Sequence, residues 1–512
     1  MGAALAVDVG IKGVGIVAAA AAAGGAFVLP ASRWRALSAL AALTLTPVLV
    51  VSELWDSEQI RHLRDRPDQA AAAAIIGLAL VIGLAVLFRR RPEALPLLAV
   101  LALPVRIPLA TGTTSANLLV PLYAVVAGGV VAYAFERLWA PARTGEWRER
   151  RPGAVEIALA AFIVLYALQS LYSDDFEQAV KNVAFFYVPF ALLLKLLTTV
   201  RWSRALVLRC FGLAAALALL FVLIGFWEYA TRQLLWNRKV IESNQFESYF
   251  RVNSLFFDPN IYGRFLAIVM VGVASTLLWA RRRGEVLTAA GVLALLWAGL
   301  IVTFSQSSFA ALLVGLLALA AVRFDAWRYR WPLAATAVVL GAVLVAAGGA
   351  LHVGSGRSLD RSSSGRLKLV RGGLEMFADR PLWGYGAGSF AERYREREKV
   401  GSPQAATASH TIPVTVAAEQ GVVGLAAYAV VVLAAFRLLF AGLGRLRARS
   451  PPRRLVSRAF VAAGFSTLVC HTLLYAAFLE DPIAWTLLGV GIVLARGLDP
   501  ADEAPQAAQA PS

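Results

Sequence analysis

The sequence predicts an all-α polytopic membrane protein, and three observations carry this prediction. Hydrophobic residues make up 59% of the 512 residues and charged residues only 16%, against about 45–50% and about 25% in ordinary globular proteins. The apolar residues fall into many runs of the length, about 20 residues, that a helix needs to cross the bilayer. Arginines concentrate in alternate loops between these runs. Together these features argue against a cytosolic enzyme, a disordered chain and a secreted disulfide-stabilised domain.

Fifteen apolar runs are candidate membrane spans, which predicts about 14–15 transmembrane helices, with 12–15 as the outer bounds. The run at 94–110 is the weakest, because Pro104, Arg106 and Pro108 interrupt it, and the run at 308–322 is short. The runs lie at residues 13–31, 36–52, 70–88, 94–110, 117–135, 154–171, 179–199, 205–227, 261–280, 287–304, 308–322, 331–350, 421–441, 459–477 and 482–496.

The loop charges predict the orientation of these spans. The positive-inside rule places arginine-rich loops in the cytoplasm, so with fifteen spans the N-terminus lies outside and the C-terminus inside. The net charge of +17 therefore indicates topology and needs no nucleic-acid partner. The arginine-rich loops lie at residues 33–35, 89–91, 137–151, 201–204, 281–283, 323–330 and 437–458.

Two long outer loops divide the predicted helices into groups. Within the second loop, Val370, Leu374 and Phe377 recur at the spacing of an amphipathic helix. Residues 384–388 are glycine-rich and predict a turn, and residues 390–399 predict a second, highly charged helix. We expect both helices at the outer membrane–water boundary, over the mouth of the bundle. The predicted divisions are N-terminal spans 1–227, a first outer loop 228–260, central spans 261–351, a second outer loop 352–411, C-terminal spans 412–496 and a disordered cytoplasmic tail 497–512.

His410 is the most distinctive of the four histidines. It lies where the second outer loop, which is basic, meets a membrane span, and a neutral imidazole there could accept a proton near pH 7. The other three have simpler interpretations. His62 suits a solvated loop, His352 an interface, and His471 a hydrogen bond between helices.

Three arginines are candidate anion-binding residues. Arg251 ends the first long loop, Arg264 enters the following span, and Arg366 begins the amphipathic helix. A guanidinium presents parallel donors that match two phosphate oxygens, although each arginine could instead reach the lipid headgroups. Asp174 and Asp175, on a short outer loop, could bind a metal ion or act as a base, but a solvated loop is the simpler interpretation.

Several stretches of the sequence resemble the O-antigen ligase and O-antigen polymerase family. In that family an sGR element opens a periplasmic helix, and a P-x-x-G-x-G-x-x-F turn, a His-Asn pair and an E-x-G-x-x-G element follow. An R…PN element precedes them. The matching stretches are Arg251 with Asp258-Pro259-Asn260, then Ser364-Gly365-Arg366, Leu374 to Phe390, His410, and Glu419 to Gly424.

Two positions depart from the family pattern. Thr411 follows His410 where the family usually has Asn, which weakens a supporting role for an amide there. Gln306 follows Ser305 where the family commonly has Arg. Diphosphate binding would then depend more heavily on Arg251 and Arg366.

The resemblance implies a GT-C-like helical bundle in a bacterial inner membrane, with its active site facing the periplasm or the outside. The implied reaction transfers a glycan from a polyprenyl-diphosphate donor to a hydroxyl of a lipid or glycan acceptor, as an O-antigen ligase or polysaccharide polymerase does. His410 would be the general base, and Arg251 and Arg366 would neutralise the diphosphate. Asn260 and Glu419 would complete the substrate-binding set. The resemblance also implies metal independence, no cofactor, contact with membrane lipids and a monomer.

Two other functions stay open at the level of the sequence. A lipid-linked glycan transporter or flippase would perform no chemistry, although a clear intramembrane charge relay or inverted repeat is not evident. A metal-dependent glycosyltransferase would use Asp174 and Asp175. Within the family itself, a ligase, a polymerase and a protein O-glycosyltransferase share the same motifs, so the motifs leave the acceptor and the sugar open.

Overall fold

The computed structural model describes residues 2–53, 55, 61, 64–111, 114–139, 151–235, 240–241, 244, 249–325, 366–398, 411–449 and 452–497. Most of these residues are helical. In chain order the described elements are α1 (Gly2–Val28), α2 (Ser32–Glu53), α3 (Pro67–Arg90), α4 (Ala94–Ala102), β1 (Ile107–Thr111), β2 (Thr114–Leu118), α5 (Val120–Trp139), α6 (Ala154–Ser170), α7 (Phe176–Asn182), a π-helical turn (Val183–Tyr187), α8 (Val188–Thr199), α9 (Arg204–Thr231), α10 (Pro259–Trp279), α11 (Arg283–Ile301), α12 (Gln306–Phe324), α13 (Arg366–Asp379), α14 (Phe390–Glu398), α15 (Ile412–Phe440), α16 (Leu443–Arg449), α17 (Pro452–Leu474) and α18 (Pro482–Ala495).

Long apolar helices dominate the described part of the chain. Eleven helical stretches there are long and apolar enough to cross a membrane, and α6 and α18 are shorter apolar helices. These thirteen match every predicted run except two, which confirms the all-α polytopic fold. The short run at 308–322 forms α12. The run at 331–350 lies outside the described residues, as does the tail after residue 497.

The predicted span at 94–110 is replaced by a short helix and a hairpin. Helix α4 has only nine residues, a rise of about 14 Å, which is less than half of the hydrocarbon thickness. Pro104 and Pro108 lack the N–H that a continuing helix needs. Beyond them β1 pairs antiparallel with β2, with Ile107 opposite Leu118. The chain therefore forms no continuous membrane-spanning helix between residues 94 and 110.

Several helix ends meet on the side of the bundle opposite the arginine-rich loops. Arg251, just before α10, hydrogen-bonds Thr303, between α11 and α12. Asp258, which begins α10, hydrogen-bonds Tyr475, just after α17. The ends of α9 to α12 and of α17 and α18 thus form one polar region at the predicted outer face.

The two helices predicted in the second outer loop are present as α13 and α14. The buried face of α13 consists of Leu369 and Met376, so it lies one position away from the predicted stripe, and Leu374 is 50% exposed. Glycine explains the difference. A Cβ at Gly372 would lie 2.5 Å from the ring of Tyr394, so the absence of side chains lets α14 approach this face closely.

Candidate functional site

Glu228, in the last turn of α9, fixes the segment that carries Arg251. Its side chain is completely buried, and one carboxylate oxygen accepts the N–H groups of Asn253 (3.2 Å) and Ser254 (2.7 Å). Ser254 has a left-handed backbone with φ 50°, a conformation that costs about 1–3 kcal/mol in a non-glycine residue. Its hydroxyl donates to the carbonyl of Phe221. These bonds hold a strained turn immediately after Arg251.

Arg251 lies at the centre of the polar region. Its Nε donates to the carbonyl of Thr303 (3.0 Å), and Nη2 donates to Oδ1 of Asn260 (3.1 Å). Its backbone exchanges two hydrogen bonds with the side chain of Asn244. A guanidinium has five N–H donors, so within the described residues three remain for a ligand. Arg251 is thus oriented by the protein and still able to bind an anion.

Asn260 links this arginine to the start of α12. Its Oδ1 also accepts the hydroxyl of Ser305 (2.9 Å), and its carbonyl accepts the hydroxyl of Ser308 (3.3 Å). A Cβ at Gly263 would lie 2.5 Å from the Ser308 hydroxyl, so α10 and α12 meet closely here. Gln306, in place of the family's arginine, is exposed.

Asp258 begins α10. One carboxylate oxygen accepts the N–H groups of Asn260 (2.6 Å) and Ile261 (3.2 Å), which is an N-cap. The other oxygen accepts the hydroxyl of Tyr475 (2.5 Å), and the Asn260 side chain also hydrogen-bonds Tyr475. The first turn of α10 is therefore tied to the end of α17.

The contacts of Arg264 are those of a residue that stabilises the bundle. It is completely buried and forms an ion pair of 2.6 Å with Asp481. It also donates to the carbonyls of Ala476 (2.6 Å) and Ala477 (2.7 Å) and to Nδ1 of His471 (3.1 Å). The alternative that Arg264 reaches the lipid headgroups is wrong, because four of its five N–H donors are bonded inside the bundle.

His471 joins three helices through this arginine. Because its Nδ1 accepts from Arg264, its Nε2 carries the proton, and Nε2 lies 3.2 Å from the hydroxyls of both Ser307 and Ser308. This arrangement confirms the interpretation of His471 as a histidine that bonds between helices.

Backbone strain concentrates around these residues. Besides Ser254, Phe304 and Ala477 have left-handed backbones, with φ 51° and 66°. Phe304 lies next to the carbonyl that holds Arg251, and Ala477 supplies a carbonyl to Arg264. Strained residues of this kind persist where the surrounding contacts determine them, and they cluster at functional sites.

Arg106 is a functional candidate that sequence reasoning treated only as an interruption of a span. It follows α4 and lies close enough to Asp481, Arg264, Tyr123 and Asp258 to interact electrostatically with each. Its Nε is buried and has no hydrogen-bond partner among the described residues. The available sequence signal was a charged residue inside an otherwise apolar run.

Glu419 holds the glycine-rich turn between α13 and α14. Its two carboxylate oxygens accept the N–H groups of Gly388 (2.9 Å) and Phe390 (3.1 Å), and its carbonyl accepts the N–H of Gly386 (2.8 Å). Gly386 has φ 96°, and a Cβ there would lie 2.2 Å from Cα of Ser173, so only glycine fits. A role for Glu419 in substrate binding stays a prediction; the contacts describe a positioning residue.

Glu480 links the residues around Arg264 to the glycine-rich turn that Glu419 holds. It interacts electrostatically with Glu419 on one side and with Arg264 on the other. Its carboxylate oxygens accept the Tyr187 hydroxyl (3.2 Å) and the Phe478 N–H (3.1 Å). Burial raises the pKa of the Glu480 carboxyl above its ordinary value. Glu480 therefore links the turn electrostatically to Arg264.

Asp174, on the short outer loop, donates its N–H to the carbonyl of Tyr385 in the glycine-rich turn (3.3 Å). Asp174 pairs with Arg393 of α14 at 2.5 Å, and Asp175 caps α7 by accepting the N–H of Gln178 (3.0 Å). Among the described residues, no group of three His, Cys, Asp or Glu side chains could hold a metal ion. Asp174 thus joins the short outer loop to α14, and Asp175 caps the next helix in the chain, so the pair is not a simple solvated loop.

The structure describes some of the predicted site residues and not others. Arg251 and Asn260 are in direct contact. Arg366 begins α13, but its side chain lies outside what the structure describes, and His410, His62 and His352 lie outside the described residues.

The comparisons with known proteins bear on the same region. No curated protein matches the chain. Residues 290–429 match the model of the O-antigen ligase family. The matched segment includes Ser305, Arg366, His410 and Glu419, and the structure joins it to Arg251 and Asn260, which precede it. This match confirms the resemblance found in the sequence, and it covers 140 of the 512 residues.

Proposed function

We propose that this protein transfers a glycan from a polyprenyl-diphosphate donor to an acceptor hydroxyl on the outer face of a bacterial inner membrane. Arg251 and Arg366 bind the diphosphate, and His410 is the general base. The acceptor is a lipid or another glycan, as in an O-antigen ligase or a polysaccharide polymerase. A single copy of the chain carries out the reaction.

The observation that carries this proposal is the environment of Arg251. Two protein oxygens fix its guanidinium at the predicted outer face, while three of its N–H donors have no partner among the described residues. Charge-assisted bonds from arginine to phosphate are stronger than neutral hydrogen bonds. A preorganised guanidinium can therefore stabilise the negative charge that develops on a diphosphate leaving group.

The reaction follows from this arrangement. The acceptor oxygen attacks the anomeric carbon of the donor, the bond from that carbon to the diphosphate oxygen breaks, and the polyprenyl diphosphate leaves with the electron pair. His410 takes the proton of the acceptor hydroxyl. Thr411, the next residue, donates its hydroxyl to the carbonyl of Leu473 (3.1 Å), two positions before Tyr475 of the site.

Asn260 and Glu419 act through other groups in this proposal. Asn260 orients the guanidinium of Arg251, and Glu419 holds the turn that separates α13 from α14. Because arginines neutralise the leaving group, the reaction proceeds without a metal ion and without a cofactor.

The experiment uses the full chain, purified in detergent, with a polyprenyl-diphosphate-linked glycan and candidate hydroxyl acceptors. We expect product formation that survives EDTA and is abolished by His410→Ala, whereas the matched control His352→Ala leaves it intact. Undiminished transfer by His410→Ala would contradict the general-base assignment. Activity that is lost in EDTA and restored by a divalent metal would contradict metal independence.

A further inference from the structure

The break after α4 brings a third arginine to the site. Helix α4 ends at Ala102, and within four residues the chain reaches Arg106, which interacts electrostatically with Asp481, Arg264 and Asp258. The break thus gives Arg106 a position beside the first turns of α10.

Neighbouring carboxylates do not neutralise Arg106 by direct contact. One oxygen of Asp481 bonds Arg264 and the other the N–H of Ile483. Both oxygens of Asp258 are also occupied, by the backbone of α10 and by Tyr475. Each carboxylate is therefore already bound to other donors, and no hydrogen bond links either one to Arg106.

An unsatisfied guanidinium donor in such a place is costly. A buried donor without a partner loses the hydrogen bonds that water would make, and a charge among membrane helices adds to that cost. The Nε of Arg106 is buried and unpartnered among the described residues. A negatively charged ligand that accepts from this guanidinium would remove the cost.

We propose that Arg106 binds the diphosphate of the donor together with Arg251. This inference rests on the proposed function. Arg251 contacts Asn260 in the first turn of α10, and Arg106 interacts electrostatically with Asp258, the N-cap of that helix. Both guanidinium groups therefore belong to the polar region around the start of α10. Arg106 thereby supplies the cation that Gln306 does not.

The test measures inorganic pyrophosphate and inorganic phosphate as ligands of the full-length protein in detergent. We expect Arg106→Gln to weaken pyrophosphate binding by about 10-fold or more, the effect of losing a charge-assisted hydrogen bond. It should weaken phosphate binding much less, because only the longer anion spans both arginines. Arg106→Lys should recover part of the loss. The control Arg371→Gln, at an exposed outer position, should bind both anions as the wild type does.

Transfer assays on the same variants separate this inference from the proposed function. We expect Arg106→Gln to raise the KM for the lipid-diphosphate donor by a similar factor. If Arg106→Gln lowers only the Tm and leaves both the pyrophosphate affinity and the donor KM unchanged, the proposed role of Arg106 in binding is overturned. Arg106 would then be a structural counter-ion for Asp258 and Asp481. The proposed function would stand in that case, because the wild type still transfers. A wild type that neither transfers nor binds pyrophosphate would overturn both.

Discussion

The guanidinium of Arg251 donates to the side-chain oxygen of Asn260, nine positions later in the chain, at 3.1 Å. The same oxygen accepts the hydroxyl of Ser305. One amide therefore sets the direction of the arginine and ties it to the segment that matches the ligase family.

Replacing this amide should impair donor binding more than folding. We expect Asn260→Ala to lower kcat/KM for the lipid-diphosphate donor by about 10-fold, because the arginine loses an orienting partner worth about 1–2 kcal/mol. Steady-state transfer assays measure the effect. Asn182→Ala, which removes an amide bonded to Tyr166, is the matched control and should retain the wild-type value. An equal loss in both variants would argue against an orienting role for Asn260.

The buried ion pair between Arg264 and Asp481 should be essential for stability. Removing one partner leaves an uncompensated buried charge, so we expect Arg264→Gln to lower the free energy of unfolding by about 3–5 kcal/mol. Asp481→Asn should have a comparable effect, and the double variant should lose less than the two single losses combined. Thermal unfolding in detergent measures all three. Strictly additive losses would mean that the two residues do not act as a pair.

Glu419 should be required for the order of the glycine-rich turn. Glu419→Ala leaves the N–H groups of Gly388 and Phe390 without their acceptors, at a cost of about 1–3 kcal/mol for each buried donor. Hydrogen exchange should show faster exchange at these two amides, whereas Glu419→Gln, which keeps an acceptor oxygen, should be affected less. Wild-type protection in Glu419→Ala would contradict this role.

Glu480 should make stability depend on pH. Burial raises the pKa of its carboxyl in the folded protein, so its stabilising contribution is complete below the ordinary pKa of about 4.3 and is lost as the pH rises through the higher folded value. We therefore expect Glu480→Gln to raise the Tm by a few degrees at pH 7 and not at pH 4. Thermal unfolding at the two pH values measures this difference. An equal gain in Tm at pH 4 and pH 7 would contradict a raised pKa of Glu480. The control is Glu375→Gln, at a surface ion pair.

Hydropathy was enough to predict α10 and α12, because the thickness of a bilayer fixes the length of an apolar helix. Pro104 and Pro108 identified a weak span, but the hairpin that follows α4 depends on pairing that single residues do not encode. The motifs also identified Arg251 and Asn260, which the structure places in contact.

The partners of Arg264 could not be predicted from local sequence. His471 and Asp481 are 207 and 217 positions away along the chain, so only the packed bundle shows that this arginine is satisfied. The neighbours of Arg106 could not be predicted from local sequence either. A charged residue in an apolar run indicates an unusual position, but its neighbours come from distant helices.

The bonds from Arg251 to Thr303 and from Ser305 to Asn260 also limit how this protein can be recombined. The family segment 290–429 contains Thr303 and Ser305 but not their partners. A chimera that exchanges only this segment for that of another family member would keep an arginine and an amide selected for different contacts. An exchange that retains function must therefore start before Arg251, so the smallest transplantable unit is longer than the segment that defines the family.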